Sequence, residues 1–240
     1  MEQAVNIWHA RLGQASGIFF GHHCSVCNFP NEYVHIIYDA NAQTSFSTAG
    51  AQGNGGAPNL PRHFMKLEGP ERYPQTYPNG NFEYVSMLVH ELGHVLGLEH
   101  EHMRPDWRAQ GMGINCRSIP RYEDVAKHLQ TKIVRWPARS VKAGTPITVA
   151  DICEYGELSI FMEPFKSMWN GRMYIPRSLQ QNGRDMLGNA GPPRPHGQFD
   201  WESIMLYPSA NAGNVHYRIR NGANEWIVGE FPTSSPYVQN

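Results

Sequence analysis

No stretch of the chain stays apolar over the ~18–20 residues that a membrane-spanning helix needs, so no helical span is expected. Charge of one sign is also lacking. The 20 basic and 21 acidic residues leave a net charge of −1, so no overall field draws the chain to nucleic acid or to an anionic membrane. The local basic run of Lys127, Lys132, Arg135, Arg139 and Lys142 reads as a solvated helix face and loop. There is no internal repeat and no low-complexity tract. Residues Met1 to Trp8 have neither the basic start nor the apolar stretch of a signal peptide. Either the protein is cytosolic, or a signal and pro-segment are missing from this chain. Cysteine is scarce: Cys24, Cys27, Cys116 and Cys153 fit two disulfides, whose pairing the spacing leaves open.

What is present is enough for a real core. The 240 residues, 40% of them hydrophobic, suit one large domain or two lobes, while 23 glycines and 18 prolines require much loop. Residues 2–14 read as an amphipathic helix with Val5, Ile7, Trp8 and Leu12 near one face and Gly13 as its stop. Gly17 to Phe20, Tyr33 to Tyr38 and His63 to Leu67 are predicted strands. Residues 40–62, small and polar, read as an extended loop. The His22, His23, Cys24 and Cys27 cluster is too compressed for a zinc finger, and a disulfide in a loop is the expected reading. His35 and His63 are lone strand histidines with no assigned role. Later in the chain, Tyr122 to Gln130 and a piece around Asp151 to Met168 look helical, and residues 214–230 suggest a strand or hairpin.

One segment states a chemistry: His90-Glu91-Leu92-Gly93-His94-Val95-Leu96-Gly97-Leu98-Glu99-His100. A helix is predicted here, with Asn81 as N-cap and Val85, Leu88, Val89, Leu92 and Leu96 as its buried stripe. Histidines four residues apart on a helix share a face, so His90 and His94 can reach one ion. Gly97 can adopt a left-handed conformation that ends the helix and brings His100 round as a third ligand. Three imidazoles and an open position describe a catalytic zinc site, since a structural site is closed by four protein ligands. Glu91, beside the first ligand, is placed to take a proton from water at the metal.

With Ser203-Ile204-Met205-Leu206-Tyr207 added, the chain resembles a metzincin zinc endopeptidase, and within that group the astacin family. The zinc segment matches HExxHxxGxxH in full. It continues into Glu101, Arg104 and Asp106 in the manner of the HExxRxD extension, and Ser203 to Tyr207 is similar to the Met-turn Ser-x-Met-x-Tyr. The resemblance implies an α+β fold, with a mixed twisted sheet and the zinc helix in an upper lobe. A largely irregular lower lobe and a cleft between the two complete it. Residues 1–240 would form one catalytic domain, as lobes 1–100 and 101–240. It implies one catalytic Zn²⁺ held by His90, His94 and His100, with Tyr207 as a further, releasable ligand that stabilises the transition state. Glu91 would be general base and acid, Met205 a hydrophobic floor, and Glu101 the partner of a buried N-terminal ammonium or an ordinary structural acceptor. His63 to Leu67 would be the strand edge on which a substrate pairs.

The implied activity is hydrolysis of internal peptide bonds of protein or peptide substrates, by a secreted monomer with no nucleic-acid partner. Secretion follows from the resemblance and the even cysteine count. The alternative is a catalytically weak or inactive metzincin-fold binding module, or a truncated product that does not hold its cleft, against which the intact Glu91 argues. The chain departs from the family in lacking a first-strand cysteine and in having Trp107 where arginine is common. The span from Asp106 to Ser203 is long, as in microbial or fungal members, and the chain opens at its first helix.

Overall fold

The computed structural model describes residues 1–12, 34–42, 45–48, 63–69, 80–206 and 215–226. The strand expected at Gly17 to Phe20, Cys24 and Cys27, and Tyr207 lie outside the described residues. The chain divides into two compact units, the first running to Glu99 and the second spanning His100–Glu230. The content is mixed α+β, built from small sheets and short helices.

In the first unit, helix α1 (Glu2–Leu12) buries Ala4 and Trp8, one turn apart. The Trp8 indole N–H donates to the Val89 carbonyl at 2.9 Å, satisfying the one polar atom that burying a tryptophan carries inward. Strands β1 (Val34–Tyr38), β2 (Phe46–Ser47) and β3 (His63–Leu67) form a mixed sheet in the order β1-β3-β2. β1 runs parallel to β3, and β2 antiparallel to it. Two expectations are corrected here. β3 is the central strand with a neighbour on each side, so it offers no free edge. Part of the expected loop, Phe46–Ser47, is itself a strand. Its short polar-and-glycine setting hides it from any period-2 pattern, and pairing with β3 supplies the order that propensity does not.

Helix α2 (Gly80–Val95) packs on β2 and β3 with Val85, Leu88, Val89 and Leu92 buried. Each such side chain contributes roughly 1.5–3 kcal/mol relative to exposure. Met65 and Leu67 of β3 are buried with them, whereas Ile36, Ile37 and Tyr38 of β1 are exposed. β1 therefore does not show the half-buried alternation its sequence suggests.

The second unit has a short sheet and a helical core. β4 (Met112–Ile114) pairs antiparallel with β5 (His216–Arg220), and β5 with β6 (Ala223–Trp226). Asn221 and Gly222 join β5 and β6 with φ of 50° and 79°, the left-handed pair that an Asn-Gly hairpin turn requires. The predicted hairpin is thus present, and its third strand, β4, went unread. Helix α3 (Tyr122–Thr131) agrees with expectation, while the region around Asp151 to Met168 forms three short helices: α4 (Val149–Glu154), α5 (Glu157–Phe161) and α6 (Phe165–Met168). Gly156 and Pro164 interrupt them. A Cβ at Gly156 would collide with the Ile175 carbonyl oxygen, so this break also lets two backbones meet.

Trp136, Ile152, Leu158, Phe165, Trp169, Ile175 and Leu187 are buried in one cluster. The Cys116–Cys153 disulfide, spanning 37 residues, ties the turn before α3 to α4, as the spacing allowed. Residues 176–190 lack regular structure but not hydrogen bonds. The buried Glu157 carboxylate accepts from the backbone N–H groups of Ser178 and Met186, and buried Asp185 accepts from those of Leu187 and Asn189. Side-chain carboxylates here replace the ladder that a strand would provide. Of the basic run, Lys127, Lys132, Arg135 and Arg139 are exposed as expected. Lys142 is not simply solvated, since it pairs with Asp151 at 2.6 Å and lies over the Trp136 and Tyr155 rings.

Candidate metal centre

The end of α2 shapes the centre. Gly97 N–H bonds to the His94 carbonyl at 2.8 Å and Leu98 N–H to the Gly93 carbonyl at 3.0 Å, the paired closure of a helix C-terminus around a left-handed residue. Gly97 is that residue, with φ of 94°. The chain is turned back within three residues, and His100 returns toward the last turn of the helix. His90, His94 and His100, all partly buried, each offer one ring nitrogen, and these atoms lie within 4.8 Å of one another. Nitrogens bound tetrahedrally to zinc at 2.0–2.1 Å stand roughly 3.4 Å apart, so a closing movement of about 1 Å or less suffices.

His94 is already oriented for the task. Its Nδ1–H donates to the Leu98 carbonyl at 2.8 Å, which leaves Nε2 as the unprotonated nitrogen that a metal takes. The donor set of three neutral imidazoles with no thiolate fits a zinc ion that retains an open position.

Replacing Gly97 by Ala places a Cβ on a left-handed backbone, a cost of about 1–2 kcal/mol. A lowering of the melting temperature by roughly 2–8 °C follows for a chain of this size. Because His100 is aimed by this turn, zinc affinity falls as well, and Gly97→Asn is the milder change. Thermal unfolding and competitive zinc titration of both variants check this. An alanine variant matching the parent in both measurements contradicts it.

Glu91 lies next to His90, with 6% of its surface exposed. Ser47 of β2 reaches it: the Ser47 hydroxyl oxygen is 2.7 Å from Oε2 of the carboxylate and 2.9 Å from the Glu91 main-chain oxygen. Burial pushes the Glu91 carboxyl above its ordinary pKa, while the Ser47 hydrogen bond and the nearby His94 pull it back. Sequence reasoning missed Ser47. A serine in a small, polar stretch carries no signal of contact with a residue 44 positions away.

On the other side of His100 the backbone forms a single 3₁₀ turn, Glu101–Met103. Glu101 N–H donates to the Met205 carbonyl at 3.0 Å, and Met205 is buried, at 2% exposure, within the turn that Ser203 and Leu206 close. The extension motif is one hydrogen-bonded knot. The Arg104 guanidinium is bidentate to Asp106, with both contacts 3.0 Å, and donates to Glu101 Oε1 at 3.0 Å. It also reaches the carbonyls of Gly197 and Gln198 at 2.8 and 3.0 Å. Glu101 Oε1 further accepts from Asp200 N–H at 3.0 Å, so this carboxylate acts here as a structural acceptor.

Trp107, the departure from the family pattern, is buried with Met112, Phe199 and Leu206, and an arginine there would have no such core to join. His102 is fully buried, its ring stacked on His100 at 5.2 Å and 4.7 Å from the ring of buried His216. Burial depresses the His216 pKa, against the pull of its bond to the Tyr174 carbonyl, so it packs as a neutral ring. Neither histidine was singled out in the sequence, because nothing in the motif spacing distinguishes a packed imidazole from a solvated one.

Of the expected site residues, the structure thus brings His90, His94 and His100 together with Glu91 beside them. Met205 is tied to the residue after His100, and Tyr207 is outside the described residues. Among the described residues no helix is long and apolar enough to cross a membrane. No curated protein and no solved structure matches the chain. Residues 78–163 match the family model described as Astacin, a peptidase family, and that stretch holds the three histidines, Glu91, the Arg104–Asp106 extension and both disulfide cysteines. Met205 and Tyr207 fall beyond it. Over residues 78–163, therefore, the chain is similar to the astacin family, zinc-dependent peptidases whose substrates are proteins or peptides.

Proposed function

We propose that the chain is a zinc-dependent endopeptidase hydrolysing internal peptide bonds, with His90, His94 and His100 as the metal ligands and Glu91 as general base and acid. The observation that carries this reading is the meeting of three histidine nitrogens within 4.8 Å on a segment in which Glu91 is buried and its carboxylate accepts the Ser47 hydroxyl. Zinc, when bound, supplies Lewis-acid polarisation of the scissile carbonyl and lowers the pKa of water to about 7.

Glu91 takes the proton of the attacking water and hands it to the departing nitrogen, a role that a carboxyl pushed upward by burial suits near neutral pH. Tyr207 would donate its hydroxyl hydrogen bond to the developing oxyanion and would serve as a further, releasable ligand to the metal. Met205, buried in its turn, forms an apolar floor. An extended substrate pairs through its main chain with β2, an outer strand of the described sheet, in place of the central β3. On this reading residues 1–240 act as one catalytic domain, as a monomer, outside the cell.

Mapping the products by mass spectrometry, from an unstructured protein substrate and a library of end-blocked peptides, tests the reading. Cuts within blocked peptides are expected, and release from free ends alone would contradict endopeptidase action. Thermal stability with and without chelator is measured on the same sample. A chelator-sensitive melting temperature with no cut in any substrate would instead identify a zinc-binding module.

A further inference from the structure

The peptidase reading uses the main chain of β2 but leaves the Ser47 side chain without a role, and the following inference rests on that reading. Its strand is well held. Thr48 N–H donates to the Phe64 carbonyl at 3.0 Å, the Phe46 and Phe64 rings meet edge to face at 5.7 Å, and Ser47 lies opposite the fully buried Met65. From this fixed base the Ser47 hydroxyl sits 2.7 Å from Glu91 Oε2. A hydroxyl has one proton to give, and of its two acceptor oxygens the carboxylate is the nearer and the charged one.

The last torsion of a glutamate is broad and roughly two-fold, so an unrestrained carboxylate presents either oxygen in many orientations. A donor fixed on Oε2 removes that freedom. It leaves Oε1 as the oxygen that receives a proton, because Oε2 is already facing one. We propose that Ser47 is a positioning residue for the proposed peptidase reaction: it fixes the rotation of the Glu91 carboxylate so that Oε1 alone exchanges protons with water and leaving group. The sequence spacing contributes nothing to this assignment, which comes from β2 lying against the helix turn that carries Glu91.

A competing role for the same atom is purely structural, the hydroxyl serving only the Glu91 carbonyl 2.9 Å away. The two roles separate experimentally. With a fluorogenic blocked peptide, Ser47→Ala lowers kcat by about 10–100-fold, the usual cost of removing an outer partner of a catalytic group, with KM and zinc stoichiometry unchanged. Ser47→Thr restores kcat. If the alanine variant does not fold, Ser47→Cys, similar in volume but a weak donor, takes its place with the same expected loss. In zinc-free protein, a denaturant-unfolding cycle of Ser47→Ala and Glu91→Ala yields a coupling of more than about twofold in the unfolding constant.

An unchanged kcat in Ser47→Ala or Ser47→Cys overturns the proposal. So does a loss shared between kcat, KM and zinc content, or a cycle with no coupling. A parent protein that cuts no peptide overturns the peptidase reading first and this assignment with it. An active parent with an unaffected variant overturns this assignment alone.

Discussion

Glu91→Gln retains one zinc per chain and loses peptide cleavage by about 10²–10⁴-fold, the contribution of a positioned general base. The glutamine keeps the volume of a side chain that is 6% exposed, and its amide oxygen can still accept the Ser47 hydroxyl. What it removes is the proton-accepting charge. None of the three clustered nitrogens belongs to position 91, so metal content is predicted not to move. Steady-state kinetics and metal analysis on one preparation give both numbers. Cleavage at the parent rate would remove Glu91 from the chemistry, and a zinc-free variant would make it a determinant of the metal site instead.

Arg104→Ala has the largest expected effect on stability. The guanidinium is 11% exposed and serves two carboxylates and two main-chain carbonyls within 3.0 Å, so its removal strands charges that burial has stripped of water. Breaking a buried pair costs about 3–5 kcal/mol; Asp106 is nearly a third exposed, which places the effect near the lower end. A melting temperature lower by roughly 6–12 °C follows. Arg104→Lys recovers little, because a point charge cannot span the bidentate contact and the carbonyls together.

The same pair sets an acid dependence. Burial alone would raise the Asp106 pKa, but hydrogen bonds from Arg104 and Gln110 outweigh it and hold the carboxyl below its ordinary value. The unfolded chain therefore binds the proton first on acidification. The stability this pair contributes is present above the ordinary carboxylate range and is lost as pH falls through the depressed native value. Arg104→Ala is expected to show a flatter decline of melting temperature between about pH 5 and 3 than the parent. Parallel curves would show that Asp106 owes its shift to another group.

Glu91 and Arg104 owe very different amounts to sequence that can be read locally. The zinc segment was legible because its logic is local: a helical period sets His90 against His94, and one left-handed glycine returns His100 three residues later. A strand or hairpin over residues 214–230 was also suggested, but its Asn221-Gly222 turn was not picked out. What escaped is what depends on distant chain. A two-residue strand at Phe46–Ser47 has no periodicity to show and exists because β3 pairs with it. β3 reads alike whether central or outermost, so its place in the sheet could not be read from its five residues. Arg104 and Asp106 were visible as a motif, but the Arg104 partners at 197–198 lie about ninety positions on, reached through a loop whose order comes from buried carboxylates. His102 was the third kind of miss, a histidine beside a ligand whose burial, not its spacing, sets its part in the site.

Cycling zinc on a single sample tests the proposed metal chemistry most directly. Cleavage of a blocked internal peptide is followed before 1,10-phenanthroline, after it, and after dialysis and return of one equivalent of Zn²⁺, with bound metal measured at each stage. Cleavage is expected to disappear with the metal and to return in proportion to it, at one zinc per chain. Cleavage that persists in metal-free protein, or a protein that binds one zinc and cuts nothing at any stage, would contradict a zinc-dependent endopeptidase.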